Sequence, residues 1–450
     1  MVSRFKRASA PTGPPLPTPS APAKTPLTRE IWVLIAAAFV IAVGFGLVAP
    51  VLPQFAHSFD VSVSAAAVVV SAFAFTRLVF APLSGQFVEK FGERWVYIAG
   101  ILIVALSSAA CAFAQNYWQL LIYRGLGGIG STMFTVAAMG LLVRLAPPTG
   151  RGRVTSAYAG SFLLGSIAGP AIGGLLAGFG LQLPFLVYAA ALVLAAIVVA
   201  TQLHPAAEKQ HHAAASATGT RTGSQGAPPA GPRMGQGADS GQGRVAPFVP
   251  NKNPMLFREA FGNSSYRAAL VSAFANGWSA FGIRMALVPL FATVVLHGGP
   301  EVAGLALAVF AIGTGLALTF SGKLADSWGR KPMVVLGLAV NTAAMAVLGF
   351  TTTIPAFLIV SAIAGIGSGL FGPAQQASVA DVIGNERSGG KVLAAFQMSQ
   401  DFGTILGPIA AGAVIDAVSY GPAIAMAAII GAVGIGFWLV ARETVQLRTP

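Results

Sequence analysis

Residues 85–94 read GQFVEKFGER, and residues 322–331 read GKLADSWGRK. The two stretches align without a gap. Gly85, Glu89, Gly92 and Arg94 recur as Gly322, Asp326, Gly329 and Lys331 at one constant offset. The same offset carries Gly128-Ile129-Gly130-Ser131 onto Gly365-Ile366-Gly367-Ser368. Within one residue it also carries Gly165, Gly169 and Pro170 onto Gly403, Gly407 and Pro408. Matches at one spacing in three separate regions mark an internal duplication.

Both copies are embedded in apolar sequence. Charged residues are 9% of the 450-residue chain and hydrophobic residues 55%, whereas soluble globular domains carry about 25% charged residues. The apolar portion divides into runs of roughly 20–30 residues, each long enough to cross the ~30 Å hydrocarbon core. The first set reads as about 31–56, 62–87, 95–115, 117–145, 153–179 and 182–203. The second reads as about 266–296, 301–325, 332–351, 353–381, 388–416 and 420–441. The fold class is therefore all-α and polytopic: twelve transmembrane helices in two parallel-related six-helix bundles. A soluble enzyme and a nucleic-acid partner are excluded despite the formal charge of +13.

Orientation follows from the basic residues. With the N-terminus inside, only Arg77, Arg124 and Arg284 of the 27 Lys and Arg fall deep within spans, the rest lie at or beyond cytoplasmic span ends, and no outer loop holds any. Both termini are expected in the cytoplasm. Residues 1–30 and 442–450 read as cytoplasmic tails, and 31–203 and 265–441 as the two bundles. Residues 204–264 are rich in Gly, Pro, Ala, Ser and Gln and read as a disordered cytoplasmic linker. His204, His211 and His212 within it lack partners at ligand spacing. The single cysteine, Cys111, lies in an apolar run, so neither a disulfide nor a Cys-based metal site is expected. No P-loop, metal cluster or Ser-His-Asp order is present, so neither a cofactor nor enzymatic chemistry is expected.

The stretch 85–94 resembles the loop between spans 2 and 3 of the major facilitator superfamily, and 322–331 is more similar still. The first copy carries Glu89 where Asp is usual and Glu93 where a basic residue is usual. Leu120-x3-Arg124-x3-Gly128 resembles a second motif of that superfamily. Gly165-x3-Gly169-Pro170-x2-Gly173-Gly174 resembles the motif of its drug/proton antiporters, and Gly44-x5-Pro50-Val51-Leu52-Pro53 looks like their twelve-span branch. The resemblance implies a monomeric secondary transporter of the cytoplasmic membrane. It would export amphipathic small molecules or drugs in exchange for protons, by alternating access. It further implies that spans 1, 4, 7 and 10 line the cavity and that spans 5 and 8 share the interface between halves.

The residues add physical content. Gly165, Gly169 and Gly173 share one helix face, which permits close helix approach. Glu89 and Asp326 stand at span ends, where a carboxylate can pair with Arg94, Arg330 or Lys331, gate two rocking bundles, or simply cap a helix. Ionisable groups at membrane depth default to function. Arg124 matches the motif position tied to proton movement, and alternatively locks helices through backbone carbonyls. Arg284 is the expected substrate contact, and Arg77 fits an interface ion pair. Asp401 reads either as the proton carrier or as half of a permanent bridge to Arg284 or Arg77, with Gln397 and Thr404 on its face. Antiporters of this type carry an acid in span 1 or 4; this chain has none there. Phe39, Phe45, Phe134, Asn276, Trp278, Phe371, Gln375 and Gln376 are the expected remaining cavity lining. The runner-up substrate is an anionic metabolite or lipid.

Overall fold

The computed structural model describes residues 28–146, 151–203, 255–384, 387 and 389–444. No strand occurs among them. The N-terminal half contains α1 (Arg29–His57, turning after Val48), α2 (Val63–Phe91), α3 (Glu93–Ala112), α4 (Tyr117–Leu145), α5 (Arg151–Ala177) and α6 (Leu183–Gln202). The C-terminal half contains α7 (Ser264–Val295, with two π-helical turns), α8 (Pro300–Trp328), α9 (Arg330–Leu348), α10 (Ile354–Ile383), α11 (Gly390–Ala417) and α12 (Tyr420–Val440). Helices are the required solution, because hydrocarbon offers no partner for a bare N–H or C=O. Eleven of the described helices are long and apolar enough to cross a membrane. The exception is α11, which carries Lys391, Asp401 and Asp416 yet packs within the same bundle.

Residues 1–27, 204–254 and 445–450, including the three linker histidines, lie outside the described residues. The linker expected to run to 264 ends earlier. Phe257–Gly262 is helical, and Glu259 holds Arg387 through two hydrogen bonds of 2.5 and 2.7 Å. The Arg387 guanidinium keeps the Glu259 carboxyl below the usual carboxylate range. The tail expected from 442 likewise begins as a cap: the Glu443 carboxylate accepts from the backbone N–H groups of Arg330 and Lys331, each at 3.0 Å. Those N–H groups open α9 and have no partner inside the helix.

The duplicated motifs mark where helices meet at backbone distance. A Cβ on Gly128 would strike the Phe73 carbonyl of α2, and one on Gly365 would strike the Phe310 carbonyl of α8. A Cβ on Gly130 would sit 2.5 Å from the Gly100 carbonyl of α3, and one on Gly367 would sit 2.8 Å from the Gly337 carbonyl of α9. Each pair is related by the offset of the duplication. One tetrapeptide thus lets a fourth helix touch two neighbours at once. The loop glycines Gly92 and Gly329 have φ of 78° and 107°, a region that disfavours any Cβ, and each turns the chain directly into the next helix.

Ion pairs at this same end repeat with their polarity reversed. Glu93, opening α3, pairs with Arg144 near the end of α4 at 2.6 Å. At the corresponding positions Arg330, opening α9, pairs through Nε with Asp381 near the end of α10 at 3.3 Å. The next basic residue ties the third helix of each half to its sixth. Arg94 donates to the Ala200 carbonyl at 2.6 Å, and Lys331 Nζ donates to the carbonyls of Leu439 and Ala441 at 2.7 and 2.9 Å.

The halves touch at the opposite end. Backbone N–H groups of Val63 and Ser64, opening α2, donate to the Asp416 carboxylate of α11 at 3.0 and 3.1 Å. Ser71 donates to the Ile405 carbonyl at 2.9 Å. On the other flank, a Cβ on Gly174 of α5 would lie 2.7 Å from the Pro300 carbonyl of α8 and 3.0 Å from Gly304 Cα. One apolar cluster runs through the N-terminal half and crosses there into residues such as Leu287, Ala303 and Ile415. The motif-loop end of the C-terminal half has its own separate cluster, around Tyr266, Met333 and Phe396. Every hydrogen bond and ion pair described above at the motif-loop end stays within one half. The hydrogen bonds that cross between the bundles lie at the opposite end.

The reversed pairs predict an exchange. Glu93→Arg or Arg144→Glu alone should lower stability by roughly 1–3 kcal/mol, since a largely buried charge loses its partner. The double variant, which copies the polarity of the other half, should recover most of that loss in a thermal melt. Additive losses in the double variant would show that the pair is not the interaction at stake.

Candidate functional site

A cavity of about 350 Å³ lies between the halves. From the N-terminal half it is walled by Ile41, Phe45, Ala49 and Leu52 of α1; Val70, Phe73, Ala74 and Arg77 of α2; and Arg124, Ser131, Phe134 and Thr135 of α4. Val104 of α3, Tyr158 and Phe162 of α5 and Tyr188 of α6 complete that side. The C-terminal half contributes Phe281 and Met285 of α7, with Gln397, Gln400, Asp401 and Thr404 of α11. The volume suits a drug-sized molecule, and the lining is mostly apolar with a few polar groups.

Of the expected lining, Phe45 and Phe134 are in place, and Arg124 and Asp401 share the same cavity. Gln397, Asp401 and Thr404 face it together, as their helical spacing requires. Six other residues are not there. Phe371 is buried against Gly337 inside the C-terminal half. Gln375 donates to the Ala269 carbonyl at 2.8 Å and to Ser272 Oγ at 2.9 Å, so it fastens α10 to α7. Gln376 lines a different groove, of about 800 Å³, between α10 and α11. Trp278 packs beside Phe274, its backbone pressed by Gly403 and Gly407 of α11, and Asn276 lies outside the cavity wall. Phe39 is exposed on α1.

Arg284 is the main correction. It is 1% exposed, its guanidinium stacks 3.8 Å from the Phe310 ring centroid, and Nη2 donates to Met345 Sδ at 3.1 Å. Its Nε and Nη1 have no partner. The side chain is buried within the C-terminal half rather than facing substrate space. The reason is local to α7. Two π-helical turns, Gly277–Ile283 and Phe291–Val295, shift the register, so 3.6-residue spacing does not predict its inner face. Phe281 and Met285 face the cavity instead. No sequence signal beyond Gly277, Gly282 and Pro289 foretold the shift. Tyr158, Phe162, Tyr188 and Gln400 were also missed; only Gln400, polar within an apolar helix beside Asp401, was open to detection.

The charges in the cavity are arranged asymmetrically. Asp401 and Gln397 of α11 line the cavity from one half, and Arg77 of α2 lines it from the other. No contact ion pair forms between Asp401 and Arg77 among the described residues. Arg77 and Arg124, not Arg284, are therefore the cations that share the cavity with Asp401. Arg124 is 6% exposed, with its guanidinium 4.1 Å from the Phe73 ring centroid and 5.9 Å from that of Phe45. Its Nε has no partner. Cation–π contact offsets part of its desolvation but occupies none of its N–H donors.

The expected motifs divide between packing and loops. Gly165, Gly169 and Gly173 of α5 meet α1: a Cβ on Gly165 would lie 2.7 Å from the Phe39 carbonyl, and one on Gly169 would lie 2.7 Å from Gly46 Cα. Pro170 bends α5 beside Gly46, and Gly174 meets α8 as described. In the first loop the paired acid is Glu93; Glu89 is exposed and has no hydrogen bond or ion pair among the described residues. In the second, Asp326 bonds Arg330 directly. A Cβ on Gly85 or Gly322 would meet nothing within 4 Å.

Two parallel-related helical bundles around a central cavity define a transporter fold. Family-level comparison agrees with that class: the model of the Major Facilitator Superfamily matches residues 34–297 and 269–450. The chain belongs to that superfamily. It is 24% identical over 416 residues to Multidrug resistance protein 2 of Bacillus subtilis, covering 91% of this chain and 94% of the relative. It is 28% identical over 178 residues to Quinolone resistance protein NorA of Staphylococcus aureus, covering 40% and 46% of the two chains. Among solved structures, a bacterial homolog of the human lysosomal transporter Spinster, in an inward-facing and occupied conformation, superposes with TM-score 0.68. That match has 15% identity over 91% of this chain and 95% of the other. A D-xylose-proton symporter superposes with TM-score 0.67 at 15% identity, covering 94% and 100%. The chain is a multi-pass membrane transporter similar to drug/proton antiporters.

Arg284 supplies a test of its structural assignment. A buried guanidinium without a carboxylate is costly, so Arg284→Met should leave stability unchanged or raise it by roughly 1–3 kcal/mol, read as an unchanged or higher melting temperature. Transport should fall less than three-fold. Loss of transport with folding intact would return Arg284 to the substrate path.

Proposed function

We propose that this protein exports amphipathic small molecules from the cytoplasm in exchange for protons, by alternating access, as a monomer with both termini cytoplasmic. The observation that carries this reading is the central cavity, built from both halves and containing membrane-depth charges from each. The Lys and Arg distribution supports a cytoplasmic motif-loop end. The crossing contacts of α2 with α11 and of α5 with α8 then lie toward the outside. The relatives' names, multidrug and quinolone resistance proteins, support drug-like cargo.

Asp401 is the group suited to carry the proton. It lies on the seam helix α11, shares the cavity with Arg77 of the other half, and lines the space a substrate would fill. Rocking the halves would change the distance between acid and cation, and with it the proton affinity of the acid. Arg124 adds a fixed positive charge to the same space. The open surroundings of Gly85 and Gly322 suit glycines that meet a neighbour only when the motif-loop ends close. The paired and capped loops then serve as gating elements.

Two measurements test this. In proteoliposomes with an imposed pH difference, Asp401→Asn should lose gradient-driven efflux of a fluorescent dye by at least ~10-fold while equilibrium binding changes only a few-fold. Wild-type efflux indifferent to an uncoupler would end the proton-exchange reading. Gly85→Leu and Gly322→Leu should fold and melt like wild type, because nothing occupies their surroundings here, yet transport should drop by roughly 10-fold or more as closure is blocked. Unimpaired transport in both would remove these loops from the gate.

A further inference from the structure

We infer that the substrate is an aromatic monoanion, whose carboxylate is held by Arg124. This rests on the central cavity being the transport site, and not on which ion drives transport. The titratable groups lining that cavity are Arg77, Arg124, Asp401 and the phenols Tyr158 and Tyr188. Arg77 of α2 and Asp401 of α11 line the cavity with opposite formal charges, which leaves one positive charge over. Arg124 is left without a counter-charge: it has no hydrogen bond or ion pair among the described residues, and its buried Nε is unpartnered. The other uncompensated guanidinium, Arg284, is sealed inside the C-terminal half and cannot serve.

The surroundings of Arg124 specify the ligand further. Phe73 and Phe45 approach its guanidinium from one side and take up none of its N–H donors, which remain to bind a carboxylate through two parallel hydrogen bonds. Phe134, Phe162 and Phe281 supply ring surface for an aromatic body in the same cavity. With a monoanion bound, the two arginines face two negative charges, and the cavity is neutral. A lipophilic cation would instead enter a space already holding one excess positive charge, in surroundings where such charges are weakly screened.

The test is equilibrium binding of a matched trio to the purified full-length protein in detergent, with no gradient imposed. The probes are a naphthalene carboxylate, its carboxamide and the corresponding naphthylmethyl trimethylammonium. The carboxylate should bind at least ten-fold tighter than the amide, and the cation most weakly. Arg124→Gln should bring the carboxylate to the level of the amide, whereas Arg284→Gln should leave the wild-type ranking intact. A melting curve reports whether Arg124→Gln is folded, and the wild-type ranking stands as a test without it. A cation bound as tightly as the carboxylate by wild type, or a carboxylate preference that survives Arg124→Gln in folded protein, overturns the inference. Because binding is read without transport, failure of proton-driven efflux would leave this ranking untouched, and the reverse also holds.

Discussion

Backbone contact at glycine holds this protein together. Lipid tails are as apolar as leucine, so hydrocarbon gives two helices little hydrophobic reason to associate, and close packing must supply the attraction. The duplicated Gly-Ile-Gly-Ser segment meets that need in both halves, bringing α4 against α2 and α3, and α10 against α8 and α9. The α5 glycines repeat the device against α1, as Gly403 and Gly407 do against α7. Each half is thereby a rigid unit.

Charge is handled by the same economy of position. At the motif-loop end the third and fourth helices of each half are bridged by one ion pair, written Glu93–Arg144 in one half and Asp381–Arg330 in the other. Duplication preserved the contact and inverted its sign, which requires only that the partners change together. Deeper in, each half stacks a guanidinium on an equivalent phenylalanine: Arg124 on Phe73, and Arg284 on Phe310. The two arginines come from different helices of the repeat, the fourth and the first. One therefore faces the cavity between halves, and the other is enclosed. The duplication conserved the aromatic platform while the halves diverged in what they expose.

Much of the site was legible because it obeys helical periodicity. Gln397, Asp401 and Thr404 share a face on α11, and that face is the cavity wall. Phe45 and Phe134 came instead from the resemblance, which put spans 1 and 4 on the cavity. The reading failed on α7 and α10. A π-helical turn at Gly277–Ile283 interrupts the α-helical register of α7, and Phe281 and Met285 face inward where Trp278 and Arg284 were expected. On α10, Gln375 turned out to fasten helices through Ser272, a use of a buried amide that sequence cannot distinguish from a ligand contact.

The chain's own order of residues determined the helical class, the duplication, the segment count and which groups sit at membrane depth. Each of these depends on local composition, on spacing along one helix, or on comparison of the chain with itself. Only the tertiary structure decided that Asp401 and Arg77 share a cavity, that Arg124 stands uncompensated in it, and that Arg284 does not. Such pairings depend on how helices distant in the chain are rotated and tilted against one another. A single extra residue in a π-helical turn changes that rotation without leaving a periodic trace in the sequence.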